Sequence, residues 1–188
     1  MERESRSETI VFFDVDGVLI DGYCHNPIYR NMWDKNIEHD LGIKTDDLAL
    51  YFKNIFPDVI IGREPLRETL SNHLTALGYT TPVDVVIEYW MTHDAHVNPY
   101  TIGFVKKCRE RTKTSLYLAT NQEKTRADYL WNALNFKSYF DGLFYSGAMG
   151  ITKFDPDFFH RMSKDLEISH ETQRILYFDD TPACLESA

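Results

Sequence analysis

The sequence predicts an α/β fold, a doubly wound parallel sheet with a small all-helical domain inserted after the first strand. Three observations lead there. Four short apolar runs, "TIVFFDV" (Thr9 to Val15), "TSLYLAT" (Thr114 to Thr120), "GLFYSG" (Gly142 to Gly147) and "RILYFDD" (Arg174 to Asp180), read as strands buried on both faces. Stripes of helical period separate the last three. Between about Asn26 and Asn98 the periodicity is helical nearly throughout.

Taken in order, the charged N-terminus "MERESRSE" reads as a frayed tail, with no apolar signal segment after it. The first strand then leads into the inserted helices. One is expected from Pro27, carrying Ile28, Met32, Ile37 and Leu41 up to Gly42. A second carries Leu48, Tyr51, Phe52 and Ile55 up to Pro57. A third starts near Pro65 with Leu66, Leu70, Leu74 and Leu77, and a fourth near Pro82 with Val83, Val86, Ile87 and Trp90. Beyond them, Ile102, Val105 and Cys108 line a helix before the second strand. Ala127, Leu130, Trp131 and Leu134 line one after it, and Phe158, Phe159, Met162 and Leu166 line one before the fourth strand. Asp155-Pro156 and Thr181-Pro182 suit helix starts. The expected domains are a core of residues 1–20 and 99–188 and a helical cap of residues 21–98.

Composition narrows the function. With 20 basic against 29 acidic residues and a net charge of -9, the 188-residue chain lacks the cationic excess of a nucleic-acid binder. The basic run "VKKCRERTK" (Val105 to Lys113) reads as a solvated helix face. No stretch reaches transmembrane length. Three cysteines without a CxxC suit a reduced, cytoplasmic setting.

Ligands of an open parallel sheet bind beyond the carboxyl ends of its strands. There the first strand hands over to Asp14 and Asp16, the second to Thr120 and Asn121, and the fourth to Asp179 and Asp180; the third leads through "SGAMGITK" to Lys153. Singly, each has a plainer reading: an Asx turn, a helix cap, a surface lysine, a capping segment. Together, in order and at one sheet edge, they describe a site. Four neighbouring carboxylates repel, and a hard divalent cation with oxygen ligands, Mg²⁺, relieves that repulsion. Lys153, Thr120 and Asn121 facing the cation suit a phosphoryl group. Asp14 can then attack phosphorus, and Asp16 can protonate the leaving oxygen before activating water.

The segments "VFFDVDGVL" (Val11 to Leu19), "LYLATNQ" (Leu116 to Gln122), "GITKFDPDFF" (Gly150 to Phe159) and "ILYFDDTPACLESA" (Ile175 to Ala188) resemble the haloacid dehalogenase-like (HAD-like) hydrolases, in the branch with a helical cap on a Rossmann-like core. The resemblance implies Asp14 as the nucleophile that forms an aspartyl-phosphate and Asp16 as the general acid and base. It implies Thr120 and Asn121 at the phosphoryl oxygens and Lys153 steadying phosphate and nucleophile. It places Mg²⁺ on the Asp14 carboxylate, the Asp16 backbone carbonyl and the Asp180 carboxylate, with Asp179 orienting a metal-bound water. Asp16 favours phosphoryl chemistry, because dehalogenating members place no second aspartate two residues after the nucleophile. The expected function is Mg²⁺-dependent hydrolysis of a small phosphorylated metabolite. A phosphomutase shares these motifs, and a catalytically weak metal- and phosphate-binding module is the non-enzymatic alternative.

Two departures stand out. Phe154 follows Lys153 where proline is usual, and the chain ends eight residues after Asp180, where relatives continue through a helix and often a strand. Cap residues are expected to select the substrate, with His25, Tyr29, Arg63, Arg67 and His96 among the candidates. Trp33 and Trp90 are expected in the cap core. The histidines of "HDAH" (His93 to His96) lack further ligands for zinc.

Overall fold

A computed structural model describes residues 8–111 and 113–188; the N-terminal tail, apart from Glu8, and the Tyr29 side chain lie outside what is described. Four parallel strands form one sheet in the order β3-β2-β1-β4. They are β1 (Thr9–Phe13), β2 (Thr114–Thr120), β3 (Gly142–Tyr145) and β4 (Arg174–Phe178). Register aligns Phe13 with Leu118 on one side and with Phe178 on the other. The chain winds outward from β1 through β2 to β3, then returns to add β4 on the far side of β1. Loops after β1 and β4 therefore leave in different directions, and the crevice between them is where such a sheet binds its ligand.

Alternation along β1 divides the core. Val11, Phe13 and Val15 face α6 (Pro99–Arg109) and the helix after β2, through Ile102, Val105 and Leu130. Ile10 and Phe12 face α9 (Pro156–Asp165), through Phe158, Phe159 and Met162. With helices on both faces, both sides of each strand must be apolar, which is why the strands read as continuous runs. The Asp155 side chain accepts from Asp157 N, the cap expected from Asp-Pro.

The inserted helices are α1 (Ile37–Leu41), α2 (Thr45–Asn54), α3 (Phe56–Val59), α4 (Leu66–Ala76) and α5 (Val83–His93). They enclose their own apolar cluster, which includes Ile37, Leu48, Tyr51, Leu70, Val86 and Trp90. Trp33 stacks on Trp90 at 5.6 Å, and Phe52 meets Trp90 edge-on at 5.4 Å. Each fully buried side chain of this size contributes roughly 1.5–3 kcal/mol. Trp90 is thus core of the cap, as expected, and the partly buried Trp33 packs against that core.

The first inserted helix departs from expectation. Pro27–Tyr29 form one 3₁₀ turn, and regular helix begins only at Ile37. Asn26 caps that turn through Ile28 N, and Arg30 leaves it in extended conformation. The Arg30 guanidinium donates to the carbonyls of Cys24 (2.6 Å) and His25 (3.2 Å), and Asn31 N donates to Gly22 O. These bonds fold the segment back on its own loop. Ile28 is left 82% exposed, so its helical spacing from Met32 carried no packing information.

Cap and core meet at several places, three of which join them through polar bonds away from Asp180. Asp21 N donates to His96 O and Asn98 N to Leu19 O, pairing the two connecting segments. Ser146 Oγ, at the start of α8 (Ser146–Met149), donates to the Ile60 carbonyl at 2.6 Å. The third contact runs through Arg126. Among the described residues, no helix is long and apolar enough to cross a membrane.

Candidate active site

β1 ends earlier than its sequence suggested because Val15 O accepts from both Leu19 N and Ile20 N, which turns the chain at once. Asp14 N still bonds to Phe178 O, so the nucleophile candidate is held against β4. Its Oδ1 accepts from Val15 N at 2.7 Å and pairs with Lys153 Nζ at 2.8 Å. Lys153, 1% exposed, also reaches Asp179 Oδ2 at 2.7 Å. The plain reading of Lys153 as a solvated lysine does not hold, and Phe154 turns outward at 57% exposure without diverting it. Asn121 Oδ1 accepts from Lys153 N at 2.8 Å, so Asn121 fixes the lysine loop to the end of β2. Thr120 is buried beside it, 3.5 Å from Gln122 Nε2.

Asp179 is fully enclosed, with Oδ2 accepting from Tyr177 Oη at 2.7 Å and Oδ1 from Thr181 N at 2.9 Å. Asp180 accepts on Oδ2 from His25 N at 2.5 Å and on Oδ1 from the Thr181 hydroxyl. Carboxylate oxygens of Asp14, Asp179 and Asp180 all lie within 4.8 Å of one another. The Asp16 carboxylate is outside that group, held by Gln122 Nε2 at 2.6 Å and Arg126 Nη2 at 2.8 Å.

The electrostatics ask for a cation. Burial pushes the Asp14 carboxyl up to about 7 against the pull of Lys153, with Asp179 raising it further. Burial pulls the Lys153 ammonium down, but Asp14 and Asp179 outweigh it and its pKa ends above the ordinary lysine value. One ammonium among these carboxylates leaves negative charge uncompensated, and three converging carboxylates suit a hard, oxygen-seeking divalent ion. Gly17 keeps the approach to Asp180 open: its φ is +78°, and a Cβ there would lie 2.3 Å from Asp180 Oδ2. Gly17→Ala therefore combines left-handed strain of about 1–2 kcal/mol with a displaced Asp180. Calorimetric Mg²⁺ titration should show weakened affinity, and thermal unfolding a lowered midpoint.

Other candidates point elsewhere. Arg63 pairs with Asp58 and Arg67 with Asp84 on the surface. His93 stacks on Tyr89, and neither His93 nor His96 belongs to a metal-competent cluster among the described residues. His25 reaches the site through its backbone N–H. A cleft of about 530 Å³ borders Asp179 and Asp180, with walls from β1, α6 and β4 and no cap residue.

Sequence reasoning missed Tyr177, Gln122, Arg126 and Asp94. Arg126 lies on α7 (Lys124–Asp128), one residue before Ala127 and four before Leu130, and that placement beside an apolar stripe was the available signal. Burial raises the Asp94 carboxyl to about 6, against the pull of Arg126.

A parallel sheet whose strand ends gather aspartates and a buried lysine, with a helical lid between the first two strands, defines a capped α/β hydrolase of Rossmann-like topology. The family model of the haloacid dehalogenase-like hydrolases matches residues 9–188, and the chain belongs to that family. Its fold and aspartate cluster carry that family's hydrolytic and phosphoryl-transfer machinery. No curated protein matches significantly. Among solved structures, a HAD family enzyme of Bacteroides thetaiotaomicron superposes with a TM-score of 0.75 at 18% identity, over 97% of this chain and 89% of that one. The same enzyme in complex with magnesium and inorganic phosphate gives 0.74 at 19% identity, over 95% and 88%. A HAD-like family hydrolase of Porphyromonas gingivalis gives 0.72 at 21%, over 95% and 85%. At these identities the likeness is one of fold.

Proposed function

We propose that this protein is a Mg²⁺-dependent phosphomonoester hydrolase acting on a small phosphorylated metabolite, with residues 21–98 as the lid over a core of residues 1–20 and 99–188. The observation that carries the reading is Lys153 Nζ bridging Asp14 and Asp179 in a group of three carboxylates. The Bacteroides enzyme's binding of magnesium and inorganic phosphate supports it.

Asp14 is the nucleophile. Its Oδ1 carries the bonds to Val15 N and Lys153, which leaves Oδ2 to attack phosphorus. Lys153 neutralises charge on the nucleophile and on the phosphoryl oxygens, which Thr120 also binds. Asn121 sits beside them and holds the lysine loop. The leaving oxygen takes a proton from Asp16. Asp16 then takes one from the water that hydrolyses the aspartyl-phosphate on Asp14. Bound Mg²⁺ would be held by the carboxylates of Asp14 and Asp180 and the Asp16 backbone carbonyl, with Asp179 behind them, and would supply charge stabilisation to the phosphoryl group.

The test is release of inorganic phosphate from aryl phosphates. Withdrawing Mg²⁺ with a chelator should lower the rate about 10²-fold or more, and re-addition should restore it. A chelator-insensitive rate would count against the reading. Conversion of a sugar phosphate to its isomer without phosphate release would point to a mutase instead.

A further inference from the structure

Arg126 is a buried charge that the proposed reaction does not use. It is 2% exposed, and α7 is fixed at its start by Glu123, whose carboxylate accepts from Thr125 N (2.6 Å) and Arg126 N (2.5 Å). Its guanidinium lies between two carboxylates from distant parts of the chain. Nη2 bonds Asp16 Oδ1 at 2.8 Å and reaches the Asp94 carbonyl at 3.3 Å. Nη1 pairs with Asp94 Oδ2 at 2.9 Å. Asp94 ends α5, and its Oδ2 also accepts from Trp90 Nε1 at 3.2 Å. The guanidinium carbon lies 5.8 Å from the centre of the Trp90 ring.

Stability alone is a poor explanation for this arrangement. A buried ion pair often contributes less than an apolar replacement, because desolvation offsets the attraction. This one is also incompletely satisfied: Nη1 and Asp94 Oδ1 are buried without a well-formed hydrogen bond. What the arrangement does fix is the Asp16 side chain, which is 26% exposed and would otherwise rotate. Arg126 holds Oδ1, while Oδ2 meets the Gln122 amide at 2.6 Å. An amide can donate to a carboxylate and, turned over, accept from a carboxylic acid, so Gln122 can partner Oδ2 in either proton state.

We propose that Arg126 is a positioning residue for Asp16, and that Asp94 and Trp90 link the aim of the acid/base carboxyl to the seating of the cap. This rests on the reading of Asp16 as the acid and base. The proton exchanged is the one on Asp16 Oδ2, given to the leaving oxygen and regained from water. Arg126 holds Oδ1 and takes no part in the transfer. A cap that lifts α5 removes Asp94 from one side of the guanidinium, and the other side then loses its constraint on Asp16.

The experiment compares kcat/KM for phenyl phosphate and p-nitrophenyl phosphate. They have similar shapes, but only the first leaves as a strongly basic phenolate that needs the acid. Positioned acids contribute about 10²–10⁴-fold, so Asp16→Ala should lose at least about 10²-fold more on phenyl phosphate than on p-nitrophenyl phosphate. Arg126→Ala should show the same bias at about tenfold, with partial recovery on adding guanidinium ion, and Asp94→Asn a smaller bias of the same sign. Equal losses on both substrates in Arg126→Ala, with the bias intact in Asp16→Ala, would overturn the inference alone. No bias in Asp16→Ala would overturn the acid/base reading and the inference with it. Should Arg126→Ala fail to fold, Asp94→Asn and Arg126→Lys decide: unbiased losses in both reject the proposal, and a bias in either supports it.

Discussion

Asp14→Asn is expected to abolish phosphate release while leaving the fold intact. The amide keeps the shape of the side chain and can still accept from Val15 N and Lys153, but it cannot form the acyl-phosphate. A loss of about 10⁴-fold or more, roughly 5.5 kcal/mol of barrier, should appear in kcat with p-nitrophenyl phosphate and saturating Mg²⁺. In a chelator the stability of the variant should depend differently on pH. Burial raises the Asp14 carboxyl from 3.8 to about 7, so the folded chain disfavours its ionised form. A carboxyl raised in this way contributes stability below its unfolded pKa and loses it as pH rises towards the folded value. The asparagine has no such loss, so its melting temperature should gain on that of the native chain between about pH 4 and pH 7. Retained activity would remove Asp14 as nucleophile; a large loss of stability at pH 7 would show the aspartate to be structural.

The sheet was legible in the sequence for a simple reason. Strands buried on both faces must be apolar throughout, and the helix starts at Pro156 and Pro182 carry proline where a first turn needs no N–H donor. Strand ends were less legible, because Val15 continues the apolar run yet its carbonyl already serves the turn to Leu19 and Ile20. The missed 3₁₀ turn at Pro27–Tyr29 has the same kind of cause. Ile28 and Met32 keep helical spacing, but Arg30 and Asn31 bond back to the preceding loop, and no spacing rule records that. In the site, the acids and Lys153 could be read because each follows a strand at the same sheet edge. Arg126 and Asp94 could not: Arg126 meets Asp16 across 110 residues of chain, and Asp94 meets Arg126 only where the cap packs on the core. Asn121 shows the difference between presence and role, since its side-chain oxygen accepts from Lys153 N.

Lys153→Met should be the most destabilising single change in the site, and Mg²⁺ should reverse part of it. The ammonium is 1% exposed and bonds both Asp14 and Asp179, one of them raised by burial and the other fully enclosed. Methionine fills most of the volume but leaves two carboxylates without their buried cation. Breaking a buried pair by removing one partner costs about 3–5 kcal/mol, and here two pairs share the partner. Urea unfolding in a chelator should therefore show a loss of at least that size. Lys153→Arg is not a conservative rescue, because the guanidinium fork is larger than an ammonium fitted between two oxygens at 2.8 and 2.7 Å. A divalent ion that binds only the folded chain stabilises by mass action, about 2.7 kcal/mol at a hundredfold excess over its dissociation constant. In the methionine variant it also answers charge that Lys153 no longer answers. The gap between variant and native chain should thus narrow as Mg²⁺ is added. Two outcomes would sink the argument: equal stability in the chelator, which would mean that the carboxylates do not depend on Lys153, or a gap unchanged by Mg²⁺, which would mean that cation and ammonium do not answer the same charge.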